Sequence, residues 1–463
     1  MGQLKTRLAL NLGANAASQG TGALLQLALV PLFLSFWSKE RYGAWILMSS
    51  VPVYLSLGEA GFATAAANEV SMAVAHGDLE QARRSLHTAW GFLVAVSAGL
   101  CGAALAGCLL LPWGAWLKFP GRDHGEVRWV LLLLSLYTVL AFSLGILGAV
   151  YRAAYRFARY ALLGSAGRVL EVAAMGASLA LSGSMVALAG AMLAARAATL
   201  AFQFSDSRRL SPNVRLGLSR FCWLELGRIW RPSVLFMAVT GGNALYFQGL
   251  TLLVGGMLGA GAVVVFSTTR ALTRAIPQFV AMIKHSVWPE FSYLFGAGDL
   301  ARARRLNALA FEVSCLASVA LAAATFFLAP WILPLWTRRA VAADPLLLGC
   351  FLASAVLNGV WFVTSGLLMG VNQHQGLAVR YVLAAAFALL LAALLVPHWK
   401  LPGAAAAMIA CEALLLPYAI SRTCRALRCP ALGLIRDSLQ LRMCREALRQ
   451  HAGRWFPRAG ATR

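Results

Sequence analysis

Twelve apolar runs, each long enough to cross the ~30 Å hydrocarbon core of a bilayer with about 20 helical residues, constrain this chain more than any other feature. They fall at 10–36, 43–66, 86–112, 129–151, 160–182, 184–205, 232–258, 262–288, 306–335, 345–371, 377–397 and 402–421. The runs are continuous, whereas the strands of a membrane β-barrel alternate in polarity, so a barrel is excluded and the spans must be helices. Composition agrees: 60% of the 463 residues are hydrophobic and 12% charged, with a mean hydropathy of +0.71, beyond the range of soluble domains. The expectation is an all-α polytopic membrane protein with about 12 transmembrane helices. Ala14-Asn15-Ala16 mimics a signal-peptide cleavage site, but the apolar run before it is too short and continues into the first span.

Orientation follows from the basic residues. With the N-terminus inside, the inner segments hold 28 Lys and Arg against 8 in the outer loops, the other 4 of the 40 lying within spans. Both termini are therefore expected on the cytoplasmic side of a multi-pass membrane protein. The net charge of +23 reads as topology and attraction to anionic lipid rather than nucleic-acid binding. None of the nine cysteines falls in an outer loop, and Cys424, Cys429 and Cys444 lack zinc-site spacing, so neither disulfide, metal nor cofactor is expected.

One charged phrase occurs twice. EVSMAVAHGDLEQARR (Glu69–Arg84) and EFSYLFGAGDLARARR (Glu290–Arg305) align at a shift of 221 residues. At that shift Arg159-Tyr160 also meets Arg380-Tyr381, and Pro112-Trp113 meets Pro330-Trp331 at a shift of 218. Three matches in order indicate an internal duplication. Six spans per half return the chain to its starting face, which makes the halves parallel repeats, a layout used by transporters that rock two lobes about a central site. The expected organisation is an N-lobe (1–205), an amphipathic cytoplasmic linker (206–231), a C-lobe (232–421) and a basic cytoplasmic tail (422–463). In each copy of the phrase the aspartate is expected to cap the next helix, while the arginine pair anchors that end at the inner leaflet.

The opening segment resembles a known family. Pro31 closing the first span, ERYGAW (Glu40–Trp45), LGEAGF (Leu57–Phe62) and the GDLEQARR loop are similar to the N-terminal signature of bacterial polysaccharide transporters. These are the O-antigen and lipid-linked oligosaccharide flippases of the multidrug/oligosaccharidyl-lipid/polysaccharide exporter superfamily. The resemblance implies a V-shaped two-lobe fold. It also implies transfer of a polyprenyl-diphosphate-linked glycan from inner to outer leaflet, for lipopolysaccharide or exopolysaccharide synthesis, with glycan polymerase and chain-length machinery as partners beside the membrane lipids. Where the family tends to have an aspartate-glycine pair, this chain has Glu59 and Ala60. The peptidoglycan-precursor branch is disfavoured, since it carries two further C-terminal spans.

A diphosphate and a glycan crossing hydrocarbon need a polar, cation-lined cavity between the lobes. The eighth span offers Arg270, Arg274 and Lys284 at about 0°, 40° and −40° on a wheel of ~100° per residue, beside Pro277. The two arginines lie ~12 and ~18 Å from the outer end of that span. Placing each there costs about 2.5–3.5 kcal/mol on insertion scales, which a diphosphate or an intramembrane Glu59, Glu171 or Glu412 would offset. Arg196 is a further candidate, either lining the cavity or pairing. In the first span Asn11, Asn15, Ser18, Gln19, Gly22 and Gln26 form one polar stripe suited to sugar hydroxyls or to helix packing. Ser233, Thr240, Asn243, Gln248 and Thr251 echo it in the seventh. Asn15, Gln19, Gln26 and Asn243 are the glycan-binding candidates and Glu59 the acid for ion coupling. Arg168 and Glu171, three residues apart, are expected to neutralise each other.

Two other functions compete. A drug or organic-cation antiporter would hold its cargo on buried carboxylates, yet all six Asp lie in loops or tails. A membrane glycan polymerase or ligase needs a large outer loop and a catalytic constellation. Here the longest outer loop, 113–128, is short and no such constellation or ATP motif is present, so the chain reads as a non-enzyme.

Overall fold

The computed structural model describes residues 18, 20–22, 24–25, 27–59, 61–111, 124–210, 214–296, 299–370 and 375–430. No strand occurs among them, and the protein is an all-α polytopic membrane protein. Helix α1 spans Gly20–Phe36. The remaining helices are α2 (Lys39–Ser50), α3 (Phe62–Ala75), α4 (Leu79–Leu110), α5 (His124–Ala153), α6 (Phe157–Leu181) and α7 (Met185–Leu210), then α8 (Trp223–Ala244), α9 (Leu250–Leu258), α10 (Ala260–Thr273), α11 (Ala275–Gly296), α12 (Leu300–Trp336), α13 (Pro345–Gly370) and α14 (Gln375–Leu427). Seven described helices are each long and apolar enough to cross a bilayer alone. The described residues of the expected spans lie mostly in helices, and the last two spans are joined in α14 across Lys400, whose φ of 50° and ψ of −131° break the helix.

The chain divides into two compact units, residues 1–265 with 335–341, and 266–334 with 342–463. In the first, α2 starts where the Ser38 hydroxyl accepts from Arg41 N–H at 3.3 Å, an ordinary N-cap. The aromatic residues Phe33, Trp37, Tyr42 and Trp45 pack with α5, α6 and α7 in one apolar cluster. Gly43, inside ERYGAW, exists for a close approach, since a Cβ there would run into the backbone carbonyl of Ala260. A second cluster joins α3, α4 and α5 around Phe62, Leu86, Leu93 and Ile146. In the second unit Val280, Phe311 and Val363 form a small core between α11, α12 and α13.

The repeated phrase builds the same local structure twice. Asp78 Oδ1 accepts from Gln81 N–H at 2.9 Å, and Asp299 Oδ1 accepts from Arg302 N–H at 3.0 Å, so each aspartate caps the helix that follows. The backbone bonds match as well: Asp78 N–H donates to the Ala73 carbonyl and Asp299 N–H to that of Leu294, both at 2.9 Å. Gly77 supplies the left-handed turn before the cap, with φ of 79°, a conformation glycine adopts without strain. The first copy of the Pro-Trp match, Pro112-Trp113, lies outside the described residues.

Candidate functional site

Three membrane segments are interrupted, each near an ionisable or polar residue singled out above. The second span kinks by 41° between its two helical stretches. After Pro52 the chain tightens into a 3₁₀ segment, Pro52–Glu59, unusually long for a geometry that rarely exceeds four residues. Gly61, with φ of 71°, then turns the chain into α3. Glu59 ends the tight segment, and its Oε1 accepts from Ala63 N–H at 3.3 Å, capping α3. It is half-buried and takes part in no ion pair among the described residues.

The seventh span carries a π-helical turn, Leu245–Gly249, between α8 and α9, a feature often found at functional positions. Asn243 is exposed just before it and Gln248 half-buried within it. Ser233 and Thr251 donate to their own helix, to the Ile229 carbonyl at 2.8 Å and the Phe247 carbonyl at 2.7 Å.

The eighth span is broken rather than continuous, which corrects the single wheel on which Arg270, Arg274 and Lys284 were placed. Pro277 is the cause. A proline has no N–H to give the carbonyl four residues back, here that of Thr273, and its ring clashes there. The helix stops at Thr273 and restarts at Ala275, so Pro277 sits in a first turn where no donor is needed. Arg270 lies in the last turn of α10, 9% exposed, its guanidinium 5.1 Å from the centroid of the Phe266 ring. Arg274 occupies the break itself, half-buried. Lys284, one helix on, is 2% exposed with its ammonium 3.6 Å from the Phe362 ring centroid. Its stem runs past Gly366, where a Cβ would come within 3.1 Å of Lys284 Cγ. Lys284 thus belongs to the packing of α11 on α13.

In the first unit Arg196 is paired. Its Nε donates to Glu171 Oε1 at 2.8 Å and its Nη2 to Oε2 at 3.2 Å, a two-pronged carboxylate contact. The Tyr137 hydroxyl donates to Glu171 Oε2 at 2.9 Å, and the guanidinium stacks on the Tyr137 ring at 3.6 Å. This overturns the expected pairing of Arg168 with Glu171. The two are on one helix, but Glu171 faces inward while Arg168 is exposed and donates to the Ser18 hydroxyl at 2.6 Å and the Ser165 hydroxyl at 3.2 Å. Tyr137 had no signal in the sequence, because it meets its partners 34 and 59 residues away. Glu412 in the second unit was equally opaque: its Oε2 accepts from Asn358 Nδ2 at 3.1 Å and Trp361 Nε1 at 2.6 Å. Asn11, Asn15, Gln19 and Gln26 lie outside the described residues. Among the described residues no cluster of His, Cys, Asp or Glu is placed to hold a metal ion.

Membrane helices interrupted beside charged groups expose backbone and ionisable side chains within a span, an arrangement that polytopic transporters use toward cargo or ions. Solved structures of other membrane proteins share the fold. The chain is similar to an inward-facing multidrug resistance MATE family transporter of the MOP superfamily, with a TM-score of 0.73 at 15% identity over 88% of this chain and 95% of that one. It is also similar to the lipid II flippase MurJ in an inward closed conformation, with a TM-score of 0.69 at 12% identity over 92% and 89%. An outward-facing MATE transporter of the same superfamily matches with a TM-score of 0.61 at 14% identity over 91% and 96%. No family model matches the sequence, and no curated protein does.

Proposed function

We propose that this protein is a flippase that carries a polyprenyl-diphosphate-linked oligosaccharide, an O-antigen or exopolysaccharide repeat unit, from the inner to the outer leaflet of the bacterial cytoplasmic membrane by alternating access. One observation carries the reading: Arg270 lies in the last turn of α10 and Arg274 stands in the proline-induced break of the same membrane span. Two permanent cations at membrane depth suit an anionic headgroup, since a guanidinium stays charged and grips phosphate oxygens in pairs. MurJ, a lipid II flippase by its description, has a similar fold. Asn15, Gln19, Gln26 and Asn243 are proposed as further cargo contacts and Glu59 as the coupling acid, with the two sequence-defined lobes moving against each other and both termini inside; Lys284 and Arg196, expected in the same role, are instead held by Phe362 and by Glu171.

The experiment replaces Arg270 and Arg274 with alanine in cells lacking the native gene. Loss of surface glycan with accumulation of the lipid-linked precursor on the inner leaflet is the expected result; unchanged display overturns the reading. A second reading, export of organic cations, is favoured by Glu59, a half-buried carboxylate without an ion pair among the described residues, and by the similar fold of MATE transporters. It predicts that the same strain becomes drug-sensitive while its glycan is intact.

A further inference from the structure

The linker after α7 helps to build a cavity in the first unit. Its segment Arg215–Arg220 wraps the imidazole of His87 on α4. Arg220 N–H donates to His87 Nδ1 at 3.2 Å, so Nε2 carries the proton and donates to the Arg215 carbonyl at 3.0 Å. Gly217 passes close beside the ring, where a Cβ would come within 3.0 Å of it. Further along, Cys222 N–H donates to Thr88 Oγ1 at 3.1 Å. The linker is thereby fixed to α4, and it carries Leu216 into place as one wall of an apolar cavity of 290 Å³ that also takes residues from α4, α5 and α7.

Small side chains leave the space. Ser143 of α5 and Ala197 and Ala201, one turn apart on α7, line it where larger residues would fill it, and Trp90, Phe204 and Leu216 bound it. The volume lies at the low end of the ~300–1,000 Å³ range of ligand pockets. Left empty, such a cavity forfeits the dispersion contacts of its lining. Water is a poor filling, since an ordered water needs about 2–4 polar partners and these walls are almost wholly apolar. Hydrocarbon is the filling that suits them. The lining residues of α7 lie ~9 to ~20 Å from its end at ~1.5 Å per residue, within one leaflet of the bilayer, so a lipid chain is at hand.

The rim selects the headgroup. Arg208 stands one turn beyond Phe204, with its guanidinium 4.4 Å from the centroid of that ring. Arg208, Arg209 and Arg215, next to Leu216, are all exposed. The acid at this end of α7, Asp206, is already matched: its Oδ1 and Oδ2 accept from Arg159 at 2.6 and 3.0 Å, and Oδ2 accepts from the Tyr151 hydroxyl at 2.8 Å. The charge left at the rim is positive, and a guanidinium held at a ring still offers N–H donors to phosphate oxygens.

We propose that this cavity holds one acyl chain of an anionic glycerophospholipid, whose phosphate rests on Arg208. The lipid is a resident part of the first unit, and the site does not depend on which cargo the protein carries. Full-length protein reconstituted in nanodiscs of equal parts phosphatidylglycerol and phosphatidylcholine tests this, with the lipid retained after transfer to mild detergent counted by native mass spectrometry. The parent protein is expected to retain phosphatidylglycerol in preference to phosphatidylcholine. R208Q should retain about five-fold less, the worth of one basic side chain at a charged membrane surface. A201W, whose indole fills the cavity, should retain none, while A198W, at an exposed position of α7 outside the lining, should match the parent. If A201W does not fold, R208Q decides alone. The proposal is overturned if the parent retains both lipids alike, if R208Q retains as much phosphatidylglycerol as the parent, or if a folded A201W does. It is also overturned if an equal amount of a polyprenyl monophosphate displaces phosphatidylglycerol from the parent, which would give the cavity to a prenyl chain.

Discussion

At the scale of single residues, the membrane interior decides which charges are tolerated by who holds them. Glu171 and Arg196 are each about a tenth to a sixth exposed, with side-chain values of 12% and 17%, and the Tyr137 hydroxyl donates one further hydrogen bond to the carboxylate. Removing one partner from such a pair leaves a buried charge without compensation, which costs about 3–5 kcal/mol, whereas removing both is far milder. R196Q is therefore expected to lower the Tm in detergent strongly and E171Q/R196Q much less. Y137F, which loses one bond to a charged acceptor, is expected to cost about 1.5–3 kcal/mol in the same assay. If R196Q and E171Q/R196Q melt alike, the pair is not a structural unit. The sequence could show that an arginine and a glutamate lie within the bilayer, but not that Arg196 rather than Arg168 takes Glu171. That choice depends on how α6 and α7 face each other, and a partner three residues away on the same helix looks equally good until burial is known.

At the scale of elements, helix ends and breaks are written by short-range chemistry and can be tested locally. Replacing Asp78 or Asp299 with alanine removes an N-cap bond and is expected to cost about 1 kcal/mol in each case. Equal losses in thermal unfolding would fit the equivalence of the two copies, and loss from one alone would not. Pro277→Ala restores the missing donor, so the break at Arg274 should close toward a continuous helix. The expected result is unchanged or raised Tm together with reduced transport, read by glycan display. Transport equal to the parent would show that the interruption has no functional part. Helix contacts can be graded in the same way. Gly43→Ala drives a Cβ into the Ala260 backbone, which cannot move aside, while Gly255→Ala meets only the Leu47 side chain, which can turn. An overpacking loss of about 1–3 kcal/mol is expected for the first and a smaller one for the second, compared by unfolding in detergent.

At the scale of the whole molecule, charge sets both orientation and a driving force. With 28 basic residues assigned inside and 8 outside, a reporter fused after residue 463 is expected to be cytoplasmic. With the interior negative, moving two negative charges outward gains about 4–5 kcal/mol per 100 mV. Collapsing the potential in vesicles is expected to slow flipping of a diphosphate-linked glycan, and an unchanged rate would remove this driving force. The sequence by itself determined the helical membrane class and the two aspartate caps. Those follow from periodicity, hydropathy and hydrogen bonds that reach only a few residues along the chain. Only the tertiary structure decided that Arg196 closes on Glu171 beside Tyr137, that Lys284 is packed on Phe362, and that Glu312 lies buried without a hydrogen-bond partner among the described residues. Each of these depends on which helix faces meet, and helix packing is fixed by shape complementarity between segments tens to hundreds of residues apart, which no local pattern encodes.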